Sequence, residues 1–159
     1  ESISLWPMES RYNILPKEKQ TLSSSDFGFH NALKRGDEIV FLDFEYFGWD
    51  DPTKTISDFL LHPGMDLSHD MRQRFVCQVL NCIDASGRLT NRLAALYPLF
   101  GLKWCLILLN EFIPDSLHRL EFASGVAPDK SELQRAQLKK AVKLLGRVKE
   151  EYEAFPYFD

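Results

Sequence analysis

From Ser23 to Pro63 the chain reads SSSDFGFHNALKRGDEIVFLDFEYFGWDDPTKTISDFLLHP, and this stretch decides the fold. It holds two acidic centres. The first is Asp26-Phe-Gly-Phe-His-Asn31, an Asp followed five residues later by Asn. The second is Asp43-Phe-Glu45, directly after the apolar run Ile39–Leu42. Between them Lys34-Arg35-Gly36-Asp37 reads as a tight turn, because glycine supplies the positive φ that such turns need. Residues 31 to 34 and 39 to 44 are expected to pair as a hairpin, with Thr21 to Ser24 as a short strand leading into the first acidic centre. The alternation in Ile39–Leu42 is poor, so both faces of that strand are expected to be buried.

Those side chains suit phosphoryl transfer. The reaction asks for a carboxylate to orient an attacking hydroxyl and accept its proton. It also asks for oxygen ligands to hold magnesium against nucleotide phosphates. A loop held between two short strands is a stiff place for both.

The ordered set resembles the C-terminal lobe of the aminoglycoside phosphotransferase and choline kinase family, relatives of the protein kinases. That family carries H-G-D-x-x-x-x-N, a hairpin, an apolar run with D-x-E/D, then a D-P step and D-[LF]. The matching residues here are Ser24-Ser25-Asp26, Asn31, Asp43-Phe-Glu45, Asp51-Pro52 and Asp58-Phe59. The resemblance implies that Asp26 is the catalytic base and that Asn31 and Asp43 ligate Mg2+, with Glu45 near enough to assist. It implies ATP, or GTP, as phosphoryl donor. Asp58 corresponds to the helix Asp that braces the catalytic loop by accepting its backbone N–H groups. Ser24 stands where the family has His, a loop-packing role that a small hydroxyl can fill. The match covers the first third of the chain. No Gly-rich nucleotide loop and no strand Lys of the kinase type precede it, so residues 1–20 read as a connector from a missing N-terminal lobe.

Composition sets further bounds. With 159 residues, 45% of them hydrophobic, the chain is long and apolar enough for one folded domain. The net charge of −4 argues against a nucleic-acid groove and suits a cationic acceptor. Cys77, Cys82 and Cys105 are odd in number, lie in apolar helical stretches and form no C-x-x-C, which reads as reduced core thiols of a cytoplasmic protein. The start at Glu1 rather than Met reads as a processed product or a piece of a longer protein.

Past the acidic centres the chain reads as helical, making an α+β, mainly helical fold: loop and hairpin over 21–45 and a helical subdomain over 51–159. Asp51-Pro52 is an N-cap followed by a first-turn proline, opening a helix to about His62 that Pro63-Gly64 ends. Asp50 and Asp37 read as cap and turn residues. Ser68 caps a second helix with Met71, Phe75, Val79, Cys82 and Ile83 inward. Ser86 starts another carrying Leu89, Leu93, Leu96 and Phe100. Leu99–Phe112, apolar on nearly all sides, reads as the central buried helix, too short and too interrupted for the ~20 apolar residues of a membrane span. Asp115–Gly125 reads as a short helix or link. A last helix, capped by Asp129 or Ser131, is expected to turn Leu138, Ala141, Val142, Leu145, Val148 and Tyr152 inward, and Tyr157-Phe158-Asp159 to fray.

Each site residue also has a plain reading. Asp-x-x-x-x-Asn alone is a common loop pattern. His30 reads as a loop-packing side chain that otherwise contacts substrate or nucleotide, and Phe47 and Trp49 as pocket walls or buried aromatics. His62, His69 and His118 lack metal-ligand spacing. The functional reading is therefore a small-molecule kinase, incomplete without its nucleotide-binding lobe. It is a cytoplasmic transferase with a small-molecule hydroxyl acceptor and no nucleic-acid or membrane partner. The alternatives are a non-catalytic helical binding module or remnant of such a kinase, and a magnesium-dependent phosphohydrolase using the same carboxylates.

Overall fold

A computed structural model of the chain describes residues 15–84, 87–113, 129–153 and 155–158. The fold is α+β and mainly helical, with two small sheets carrying the acidic loop. Strand β1 (Thr21–Ser23) pairs antiparallel with β4 (Gly48–Asp50), Leu22 opposite Trp49. Strands β2 (Ala32–Arg35) and β3 (Glu38–Phe41) form the hairpin, Arg35 opposite Glu38. That register leaves a two-residue loop, Gly36-Asp37. Gly36 at φ +63 takes its first central position, where a type II′ turn requires glycine. Everything from Asp26 to Phe47 is thus enclosed in sequence between two paired strands. The hairpin is more open than its composition implies: Leu33 and Ile39 are exposed, and Val40 and Phe41 are only half-buried.

Helix α1 (Pro52–Leu61) starts as its sequence dictates. The Asp51 carboxylate accepts the Thr53 N–H at 2.9 Å, and Pro52, with no N–H to satisfy, fills the first turn. Helix α2 (His69–Ile83) is capped by Ser68. The last described helix, α4 (Lys130–Glu151), is capped by Asp129, which accepts from Ser131 and Glu132 N–H groups.

The third helix departs from expectation. α3 is one continuous helix, Arg88–Leu108, running through Pro98. The proline costs one ladder bond without ending the helix, and Gly87, not Ser86, occupies the N-cap. Leu89–Phe112 is long and apolar enough to cross a bilayer by length and composition, contrary to the shorter reading. It is not the enclosed centre of the domain: Leu99, Leu102 and Leu106 are exposed. That centre is α1, eight of whose ten residues are buried. Two charged side chains of α3, Arg92 and Lys103, pair with Asp51 and Asp58 at the two ends of the α1 segment.

α3 packs against both α1 and α4, and the core forms where they meet: Ile56, Leu60, Leu93, Tyr97, Leu144 and Val148, with Val76 from α2. Full burial of such side chains contributes about 1.5–3 kcal/mol each. α2 turns Val76 fully inward with Phe75, Val79 and Leu80 against the core, leaving Met71, Ile83 and Cys82 exposed. Of the three free thiols only Cys105 is buried, and burial raises its pKa.

In α4 the inward residues are Ala141, Leu144 and Val148, while Leu138, Val142 and Tyr152 face out. The reason is a close approach. A Cβ on Gly101 of α3 would lie 2.4 Å from Cγ2 of Val148. The two backbones meet where one side chain is missing, and this sets the rotation of α4. Tyr157, expected to fray, is docked: it is buried, its hydroxyl donating to Glu151 and accepting from Arg72, while Asp159 lies outside the described residues. Glu151 also accepts from Tyr97, whose hydroxyl accepts from Arg147 in turn. Burial holds the Tyr97 phenol far above its usual range.

Glycine inside a helix is disfavoured by about 1 kcal/mol relative to alanine, so Gly101 marks a packing need. Gly101→Val should lower stability by about 1–3 kcal/mol through overpacking, read from the urea midpoint. In a Val148→Ala background the added cost should shrink; an equal loss in both backgrounds would place the clash elsewhere.

Candidate active site

The first acidic centre begins with a residue in an unusual conformation. Ser25 has φ +65, in the left-handed region that non-glycine residues seldom enter. Three hydrogen bonds hold it there. Its N–H donates to Ser23 Oγ at 3.0 Å, and Lys54 Nζ donates to its carbonyl at 3.2 Å and its hydroxyl at 3.0 Å. Ser23 is itself buried and bonded to the Thr55 hydroxyl at 2.8 Å. Strain of this sort persists only where surrounding contacts over-determine it. The hydroxyl that braces the loop is therefore that of Ser23. Ser24 contributes its carbonyl, which accepts the Asp26 N–H at 2.8 Å.

Asp26 then meets two other residues of its own motif. Asn31 Nδ2 donates to the Asp26 carbonyl at 3.0 Å and to its Oδ2 at 3.2 Å. His30 Nε2 lies 3.0 Å from Asp26 Oδ1. The 3₁₀ turn Phe29–Asn31 makes this possible by wrapping both side chains back over the Asp. Gly28 leaves room for it: a Cβ there would fall 2.5 Å from Cε1 of His30. The Asn31 carbonyl accepts the Leu42 N–H at 2.8 Å, so the open end of the hairpin joins the second acidic centre to the first. Asp43 follows directly, exposed and in the left-handed region at φ +59. Glu45 is exposed in the next turn. Asp43 and Glu45 are not among the group Asp26, His30 and His62, whose ligand atoms lie within 4.8 Å of one another.

Asp58 is used differently from the expectation. It is 6% exposed, and its carboxylate accepts from Lys103 Nζ at 2.9 Å and Trp104 Nε1 at 2.8 Å, with Lys54 Nζ at 3.2 Å. Among the described residues no backbone N–H of the loop reaches it. Its link to the loop runs through Lys54, which bridges Asp58, Asp50 and Ser25. Lys54 was legible as an i,i+4 partner of Asp58 on one helix face. Lys103 and Trp104, more than forty residues away, carried no such signal.

An aromatic row seats the loop on the helices. Phe27 contacts Phe41 at 5.0 Å and Phe59 at 5.4 Å, and Phe59 stacks on Phe75 at 3.9 Å. Beside this row His30 stacks on His62 at 3.8 Å, and His62 meets Trp104 edge-on at 4.8 Å. His62 is the C-cap of α1 and its Nδ1 accepts the Gly64 N–H at 3.1 Å. Burial lowers its pKa, and the neighbouring His30 lowers it further, against the opposing pull of Asp26 and Asp58. His69 packs on Tyr157 instead, and His118 lies outside the described residues.

His62 also borders a cleft of about 610 Å³ between the end of α1 and α4. Arg72, Lys140, Lys143 and Arg147 line it against Asp66 and Glu150. Phe47 and Trp49, read as pocket walls or buried aromatics, are exposed and line no part of this cleft.

Comparison with protein-family models finds none that matches this chain, and comparison with curated proteins and with solved structures likewise finds no match.

Lys54→Met removes the bridge between Asp58 and the strained serine. It should cost about 1.5–3 kcal/mol, the range for hydrogen bonds to a charged group. It should also raise amide exchange at Ser25 and Asp26 selectively. Exchange there no faster than in the unaltered protein would show that the loop does not depend on Lys54.

Proposed function

We propose that this chain is the C-terminal lobe of a kinase-like small-molecule phosphotransferase, moving the γ-phosphoryl of ATP to a substrate hydroxyl. The observation that carries the reading is the joining of Asp26, Asn31 and the residue before Asp43 by hydrogen bonds across the mouth of one hairpin. Strained backbone at Ser25 and Asp43, beside or at both acidic centres, supports it, since such conformations gather at functional sites.

In this reading Asp26 orients the acceptor hydroxyl and takes its proton. Stiff positioning of that carboxylate by Asn31 and His30 supplies most of its value. Asn31 directs Nδ2 at Asp26, which leaves its Oδ1 without a hydrogen bond among the described residues. In this reading it and the Asp43 carboxylate would supply oxygen donors of the kind Mg2+ takes, with Glu45 two residues on. Bound Mg2+ would neutralise charge on the nucleotide phosphates. Leu33, Ile39 and Leu42 of the hairpin and Phe44, Phe47 and Trp49 after it are exposed apolar side chains. In this reading they are covered by a nucleotide-binding lobe of the parent protein. The cleft beside His62 serves as the acceptor side. Its four cations against two carboxylates favour a neutral or anionic acceptor over the cationic one suggested by net charge.

A second reading, a non-catalytic helical binding module, is favoured by one observation. Both Asp26 carboxylate oxygens are already engaged, by His30 and Asn31. Magnesium-dependent ATP consumption by the full-length protein, measured against a panel of hydroxyl acceptors, separates the two. Turnover should depend on one acceptor and fall by at least about 10²-fold in Asp26→Ala, the scale of lost general-base catalysis, with nucleotide affinity retained. Asp43→Ala should instead weaken magnesium–nucleotide binding. Absence of both turnover and magnesium–nucleotide binding would leave the binding module as the reading.

A further inference from the structure

We infer that Asp26, His30 and His62 form a binding site for a divalent transition ion of the Zn2+ class. One ligand atom from each lies within 4.8 Å of the other two. The shortest of these separations, His30 Nε2 to Asp26 Oδ1, is 3.0 Å. Two ligands on a tetrahedral zinc with bonds near 2.0–2.1 Å stand about 3.3 Å apart, so this hydrogen-bonded pair needs to open by only about 0.3 Å as the ion replaces the shared proton. The His30 and His62 rings stack at 3.8 Å with 13° between their planes, and an ion lies in the plane of each imidazole that binds it, so ligation by both requires one ring to turn out of the stack.

Tertiary structure builds this cluster, since His30 and His62 lie 32 residues apart. Three contacts hold its residues together. Gly28 lets the His30 ring fold over the loop, and the Phe29 N–H donates to Met65 Sδ, tying that turn to the segment after α1. Trp104 walls the other side of His62. Imidazole must be neutral to ligate, and the surroundings of His62 favour its neutral form. Two imidazoles and a carboxylate select Zn2+, Co2+, Ni2+ or Cu2+ over Mg2+. The site is thus chemically distinct from the all-oxygen set of Asn31 and Asp43.

Metal binding here does not rest on the phosphotransferase reading, but its consequence does: the ion would hold the carboxylate that otherwise receives the acceptor proton. Transition ions would then inhibit turnover in competition with the acceptor.

The proton at His62 provides a direct reporter. Its Nδ1 accepts from Gly64 N–H, so the neutral ring carries its own proton on Nε2. An ion on Nδ1 displaces the Gly64 hydrogen. An ion on Nε2 drives the ring proton to Nδ1, facing the Gly64 donor. Either way the Gly64 hydrogen bond is lost.

The test is titration of the metal-stripped full-length protein with Zn2+ by calorimetry and Co2+ by visible absorption, without nucleotide and in excess Mg2+. One ion per chain should bind, and the Gly64 amide resonance should move on Zn2+ addition. Affinity should fall at least about ten-fold in His30→Gln and in His62→Gln, the lower bound even for losing a ligand's supporting partner. His30 sits at the surface of a turn, so its variant keeps the test valid if His62→Gln fails to fold. Unchanged Zn2+ affinity in His30→Gln, or a Gly64 amide that stays in place at saturating Zn2+, would overturn the site. Failure of the kinase assay alone would leave it standing.

Discussion

The carboxylate of Asp58 is the point on which the structure hangs. A charge buried to 6% exposure is costly unless it is paired and hydrogen-bonded. Here Lys54, Lys103 and the indole of Trp104 surround it. Satisfying that one group forces three things at once. It holds α3 against α1, because two of the partners are consecutive residues of α3. It seats Trp104 where His62 can pack on it. It also sets Lys54 in reach of Ser25, fixing the strained residue before Asp26. Removing one of its partners should cost about 1.5–3 kcal/mol, as much as full burial of one apolar core side chain contributes.

From that anchor the acidic loop is built in two layers. The lower layer is apolar: Phe27, Phe59 and Phe75 stack from the loop through α1 to α2. The upper layer is polar: Asp26, His30 and Asn31 bond to one another at the surface. The division has a physical logic. Phenylalanine rings supply packing without competing for the hydrogen bonds that orient the Asp26 carboxylate, and the glycine at position 28 allows the polar layer to close over itself. Leu33, Ile39 and Leu42 of the hairpin remain exposed outside that stack.

Much of this was legible in the chain, unevenly. The caps at Asp51, Ser68 and Asp129 and the turn at Gly36 are present as the residues dictate. So is the hairpin. The helix faces were read less well. Val76 and Leu144, both missed, are buried, while Met71, Leu138 and Val142 are exposed. An amphipathic pattern with leucine, valine and alanine on several sides admits more than one rotation, and only the facing helix selects among them. The continuous run of α3 through Pro98 was missed for a related reason. A proline raises the cost of a helix locally, but packing on both α1 and α4 exceeds it.

What the sequence determined by itself is therefore the local grammar: where helices begin, where the chain reverses, and that an Asp and an Asn share one turn. Each depends on residues within about five positions, whose geometry the backbone fixes directly. Tertiary structure alone decided which hydroxyl braces the loop, what surrounds Asp58, how α4 is rotated, and that His30 lies on His62. Those outcomes join residues tens of positions apart, and spacing in the chain carries no information about them. They follow from burial of a charge and from a missing side chain at Gly101, constraints that exist only once the helices have met.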